Sequence, residues 1–107
     1  MKERRKGVRA IAFFRTEVIH EKKIYAGYIV NISAVGCAFA HENLSDLELG
    51  TEVKIKFRLD GRTLNQAAEV RWRDATLMGL KFKGLTASAS KTLRNYIRAV
   101  TLRRIPL

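Results

Sequence analysis

An all-β barrel closed by a C-terminal helix is the fold this sequence predicts, and three observations predict it. Short apolar and β-branched runs, several strictly alternating with polar residues, recur through residues 10–84 with no helical period between them. An Asp-Gly pair, Asp60-Gly61, separates two of the alternating runs, as a two-residue hairpin requires. Beyond Gly84 the period changes, with Leu93, Tyr96, Ile97 and Val100 spaced i, i+3, i+4, i+7. Six short strands joined by turn signals favour a six-stranded antiparallel barrel, closed or nearly closed.

The first two strands are "VRAIAFFR" and "KIYAGYIVNI", rich in β-branched and aromatic residues, with the mostly polar stretch "TEVIHEKK" (Thr16 to Lys23) read as their connection. "GCAFAH" supplies the third. The fourth, "EVKIKFRL", places Val53, Ile55, Phe57 and Leu59 on one face and Lys54, Lys56 and Arg58 on the other. After Asp60-Gly61 the chain returns through "RTLNQAAEVRWRD". There Leu64, Ala68, Val70 and Trp72 form the inward set and Glu69, Arg71 and Arg73 the outward one, while Gln66 interrupts the pattern as a bulge or a rim position. In "LMGLKFK", Met78, Leu80 and Phe82 share a face opposite Lys81 and Lys83. A helix from about Ser88 to Arg103, capped by Ser88 or Ser90, then lays one stripe on the barrel.

These elements make one domain over residues 1–107: an arginine-rich loop at 1–9, pliable at Gly7, the barrel at 10–84 and the helix at 88–103. The one cysteine, Cys37, reads as core filler. His20 and His41 lack a third ligand at a metal-binding spacing, and no paired acids or nucleophile-and-base spacing stands out, so neither a metal nor catalysis is expected. No apolar run approaches the roughly 20 residues of a membrane span, and no signal-peptide core follows "MKERRKGVR", so the expected location is the cytoplasm. Against 10 acids stand 21 Lys and Arg, a net charge of +11, which draws polyanions, phosphorylated ligands or an acidic protein face.

Two short motifs narrow that choice. "RRKGVR" carries Arg4, Arg5 and Arg9; by itself Arg-x-x-x-Arg is weak, since it recurs at Arg58–Arg62 and Arg94–Arg98. "NISAVG" is far rarer: Asn31, Ser33 and Gly36 follow an apolar strand, where a turn alone would account for polar residues and glycine. In this order, and with "VRWRDATLMGLKF" and a C-terminal helix downstream, the chain resembles the PilZ domain family, bacterial receptors for the second messenger cyclic di-GMP. The likeness runs nearly the whole length of the sequence.

The resemblance implies a PilZ-type barrel whose arginine loop folds over the outer wall near "NISAVG". It implies cyclic di-GMP contacts from Arg4, Arg5, Arg9, Asn31, Ser33 and Gly36, with Trp72, Arg71 and Arg73 as additional contacts. Asn31 stands where Asp is commoner in the family. Arg4, directly before the pair, implies an intercalated dimer of the ligand rather than one molecule. The chemistry agrees: arginine forks suit phosphate and the guanine O6/N7 edge, and an amide carbonyl suits the guanine N–H donors. No cofactor is implied beyond this ligand, and a sensor without a second domain needs a protein partner, for which the family suggests motility, pilus or exopolysaccharide machinery. Two alternatives stay open: a basic barrel binding single-stranded nucleic acid, and a protein-interaction module with an idle site. The first requires outward aromatics interleaved with lysines, whereas "EVKIKFRL" and "LMGLKFK" turn theirs inward. The presence of every motif residue speaks against the second.

Overall fold

The computed structural model describes residues 10–59 and 61–103, with side chains from 12 to 59 and from 61 to 100. Six strands, β1 (Ala10–His20), β2 (Lys23–Ile32), β3 (Gly36–Ala40), β4 (Glu52–Leu59), β5 (Arg62–Arg73) and β6 (Leu77–Phe82), precede one helix, α1 (Ala87–Arg103). They form a closed barrel in the order β1-β2-β3-β6-β5-β4, and every neighbouring pair is antiparallel. Closure gives every strand a neighbour on both sides. This is the six-stranded barrel with a C-terminal helix that the alternation predicts.

The interior follows from period-2 patterning. Val53, Ile55, Phe57 and Leu59 of β4 are all buried, while Lys54, Lys56 and Arg58 between them are exposed. Facing them across the barrel lie Ile29, Phe39 and Met78, each fully buried in the same core. Cys37 is part of this core, and its thiol is free. The hairpin at Asp60-Gly61 is as expected: Leu59 pairs with Arg62, and Gly61 has φ 75°, a left-handed conformation open to glycine.

The stretch read as a connection, "TEVIHEKK", is instead mostly strand. Thr16 and Val18 point inward and are buried, and Thr16 Oγ1 donates to the Lys56 carbonyl across the β1–β4 seam. Its β-branched residues continue β1 to His20 while the charged ones occupy the outer face. Only Glu21 and Lys22 turn the chain, with Glu21 at φ 56° although no glycine marks the site.

Two further differences concern β5. Gln66 is neither a bulge nor a rim position: it points inward, 8% exposed, in an unbroken β4–β5 register, and its Nε2 donates to the Lys83 carbonyl. The bulge lies later, at Arg71, where the β5–β6 register slips between Val70 and Trp72. Val70 remains inside, and Trp72, expected inside, lies on the outer wall at 44% exposure. Arg73, expected outside, is consequently paired with core residue Met78; its Nε is buried with no hydrogen-bond partner among the described residues.

Both barrel ends are covered. β1 and β4 pair only over Glu17–Ile19 and Lys54–Lys56, and α1 packs against both strands. Its stripe of Ala89, Leu93 and Ile97 is buried, and Tyr96 meets Phe14 edge-on at 6.0 Å. The cap is Thr86 rather than Ser88 or Ser90: its Oγ1 accepts from Ala89 N at 3.0 Å. At the end carrying the Glu21-Lys22 turn, the β3–β4 connection seats Leu44 and Leu47 in the core. Asp46 of that connection accepts from Lys23 Nζ at 2.8 Å and from Tyr25 OH at 2.9 Å.

Candidate functional site

The motif "NISAVG" forms the end of β2, the turn and the first residue of β3. Ser33 N donates to the Gly36 carbonyl at 2.8 Å, and the Ser33 hydroxyl accepts from Val35 N at 3.2 Å and Gly36 N at 3.3 Å while lying 3.4 Å from the Gly36 carbonyl as donor. One donated and two accepted bonds are all that a serine hydroxyl can make. Ser33, 2% exposed, thus closes the turn. Gly36 is required for a separate reason, because a Cβ there would collide with the Leu80 carbonyl of β6. The close approach it permits is of strand to strand.

The turn does not account for Asn31. In β2, Ile29 points into the core and pairs with Phe39, whereas Asn31, two residues on, pairs with Ala38 on the outer face. Two residues apart on a regular strand would share a face. The register slip at Val30 reverses the alternation, so Asn31 is outside solely because of that bulge. The slip at Arg71 does the same for Trp72, which would otherwise join Val70 inside.

These two re-aimed side chains lie in one cross-strand row. Ile11 pairs with Asn31, Asn31 with Ala38, Ala38 with Gly79 and Gly79 with Trp72. Between the amide and the indole lie Ala38 and Gly79, which offer almost no side chain and are both buried. Gly79 must be glycine: a Cβ would enter the Trp72 ring, which lies against the strand there. The next outer row runs Arg15, Tyr28, Ala40 and Leu77, so Tyr28 and Asn31 share the face on either side of the Val30 bulge. Open hollows flank Tyr28. One, about 420 Å³, is lined by Arg15, Lys56, Arg58 and Thr63; the other, about 520 Å³, by Ala40, His41, Glu42 and Leu77.

Of the residues singled out from sequence, Asn31 and Trp72 share this wall, with Ser33 and Gly36 shaping its edge. Arg71 is exposed at the bulge, and Arg73 turns toward the barrel end. Arg4, Arg5 and Arg9 lie outside the described residues. Sequence reasoning missed Tyr28, Phe13 and the Gly79 shelf as parts of the wall; "MGL" beside a Val-x-Trp element is the one signal that the shelf left. Among the described residues no group of His, Cys, Asp or Glu is placed to hold a metal ion, and no helix is long and apolar enough to cross a membrane.

Comparison with known proteins agrees with this architecture. The PilZ domain profile matches residues 3–99. No curated protein matches the chain. Among solved structures, the Bacillus subtilis inhibitor of motility MotI/DgrA superposes with a TM-score of 0.83 at 20% identity, over 97% of this chain and 54% of that protein, so this chain spans about half its length. The PilZ domain of YcgR from Escherichia coli, solved with c-di-GMP, gives 0.79 at 10% identity over 94% of each chain. The PilZ domain of CeSA from a cellulose-synthesizing bacterium gives 0.73 at 19% identity, over 88% of this chain and 98% of that one. The profile match over residues 3–99, on a closed six-stranded barrel with a C-terminal helix, makes this chain a member of the PilZ domain family.

Proposed function

We propose that this chain is a cyclic di-GMP receptor that binds the dinucleotide on the wall bearing Asn31 and Trp72 and signals to a protein partner without catalysis. The observation that carries the reading is the start of β1. Ala10 pairs with Ile32 and Ile11 with Asn31, so β1 begins, one residue after Arg9 in sequence, alongside the strand that presents the amide. Five residues of chain reach at most about 18 Å, which keeps Arg5 within range of the same wall.

In this reading Arg5 and Arg9 bind phosphate and the guanine O6/N7 edge, Asn31 accepts from guanine N–H groups, and Trp72 lines the far side over its glycine shelf. Arg71, exposed at the bulge, adds positive charge. Ser33 and Gly36 act as positioning residues through the turn and the β3–β6 approach. Arg4 favours a second, intercalated ligand molecule. Closure of the Arg4–Arg9 segment over the ligand changes the charged surface offered to the partner.

The outward aromatics bear on the nucleic-acid alternative. Phe57 and Phe82 are in the core as expected, yet Phe13, Tyr28 and Trp72 face outward. Phe13 and Tyr28 form one stack, with Tyr28 beside the hollow that Lys56 lines, while Trp72 lies apart on Gly79, and two separate aromatic spots suit a compact ligand better than an extended strand. Titration calorimetry of the native chain, Arg5→Ala and Asn31→Ala with cyclic di-GMP tests the proposal. Saturable binding by the native chain is expected, with roughly tenfold or greater weakening in Arg5→Ala, since a hydrogen bond to a charged group is worth about 1.5–3 kcal/mol, and roughly two- to tenfold in Asn31→Ala, whose contact is neutral and worth about 0.5–1.5 kcal/mol. Stoichiometry reports one ligand or two. Equal responses from native and Arg5→Ala protein, or equal competition by GTP, would overturn it.

A further inference from the structure

Phe13 and Tyr28 lie ring on ring on the outer faces of β1 and β2, centroids 4.6 Å apart and planes 8° from parallel. Phe13 is 71% exposed: one ring face rests on Tyr28 and the other is open. The core does not need it. Its neighbour Phe14 is the residue that packs inward, against Phe57 and Tyr96. A large apolar ring left in water forgoes burial that a polar residue at this outward position would not need, and its parallel stack holds the open face at a fixed orientation.

The place of this stack gives it meaning. Tyr28 and Asn31 stand in adjacent rows of the outer face, and Phe13 comes two residues after Ile11, the cross-strand partner of Asn31. Beyond Asn31, on β3 and β6, lie Ala38 and Gly79, both buried, the glycine beneath the Trp72 indole. Neighbouring strands are about 4.8 Å apart, so the Phe13–Tyr28 stack and Asn31 occupy one patch of the β1–β2 wall. Arg15, the cross-strand neighbour of Tyr28, supplies an exposed cation beside the stack.

We propose that the open face of Phe13, held flat on Tyr28, is a purine-stacking platform that this chain adds to the wall, taking one guanine of the ligand whose other contacts are made at Asn31. The inference rests on the receptor reading and extends it to residues outside the two sequence motifs. A flat π surface discriminates little between bases, so the platform supplies affinity while the amide and arginines supply selectivity.

The test is cyclic di-GMP binding by the native chain, Phe13→Ala, Phe13→Leu and Phe13→Trp, with thermal melts run in parallel. Phe13→Ala is expected to weaken binding by roughly 5- to 100-fold, the range for losing one base–aromatic stack. Phe13→Leu, apolar but not flat, should recover little of that loss, and Phe13→Trp should restore binding. Melting should change little, because the ring lies outside the core. Native-like affinity in Phe13→Ala, or full rescue by Leu, would overturn the platform while leaving the receptor reading intact. Absence of binding by the native chain would overturn both.

Discussion

Two halves of the barrel wall are built differently. β4 and β5 pair over eight consecutive residue pairs without a slip, from Glu52–Glu69 to Leu59–Arg62. The β1–β2, β2–β3 and β5–β6 ladders each slip once. In the regular half Val53, Ile55, Phe57, Leu59, Leu64, Gln66 and Ala68 are buried and the residues between them are charged, small polar or alanine, so the ladder serves the core. In the irregular half the slips at Val30 and Arg71 break alternation and deliver an amide and an indole to the exterior. Bulges disrupt pairing locally, and here they are the means by which core-forming strands also turn an amide and an indole outward.

That contrast predicts where substitutions act. The largest effect is expected in the regular half: Phe57, buried and packed on Phe14 at 6.3 Å and Phe82 at 6.2 Å, should cost about 3–5 kcal/mol when replaced by alanine. Chemical denaturation would show this as a lower midpoint, a large fraction of the 5–15 kcal/mol typical of a domain. At temperatures where the variant stays folded, ligand affinity should be unchanged. A parallel loss of affinity would break the division of labour.

Between the halves lies Gly36. Gly36→Ala should destabilise by roughly 1–3 kcal/mol, because the new methyl meets a strand carbonyl that cannot move without disturbing the β3–β6 ladder. Ser33→Ala should cost less, about 1 kcal/mol, through the turn bonds alone. Stability of Gly36→Ala equal to native would show that the close approach is not a constraint, and would return Gly36 to a direct role against the ligand.

The smallest effect concerns pH, far from the site. Hydrogen bonds from Lys23 and Tyr25 hold the Asp46 carboxyl below its ordinary value near 3.8. A group whose folded pKa is lowered stabilises the fold above its unfolded pKa, and that contribution disappears as pH falls through the folded value. Asp46→Ala should therefore melt slightly below native at pH 7, with the gap narrowing as pH falls below about 3.8. Because Asp46 and Lys23 are exposed, the difference at pH 7 should be small.

The two halves also differ in how much of them was legible beforehand. "EVKIKFRL" followed by Asp60-Gly61 states its own geometry, because strict alternation and a positive-φ turn need no outside information. "TEVIHEKK" reads as a loop only if its charges are weighed above Thr16, Val18 and Ile19, whose branched side chains carry the strand. Gln66 is buried through the Lys83 carbonyl, a partner 17 residues away that local pattern cannot reveal. The bulge at Arg71 contains no glycine and depends on the match between two strands, so the outward turn of Trp72 was hidden while its position was not. The motif residues were legible as a set, but the physical duties of Ser33 and Gly36 as turn and strand contacts emerged only from the fold.

The central claim is that the bulged wall, and not the regular one, is the binding face, and amide chemical-shift mapping on titration with cyclic di-GMP tests it most directly. The account predicts shifts concentrated at Phe13, Asn31, Ala38, Gly79 and the indole N–H of Trp72, the sole tryptophan, with Glu52, Lys54 and Ala67 unmoved. Shifts centred on β4 and β5, or none at saturating ligand, would contradict it.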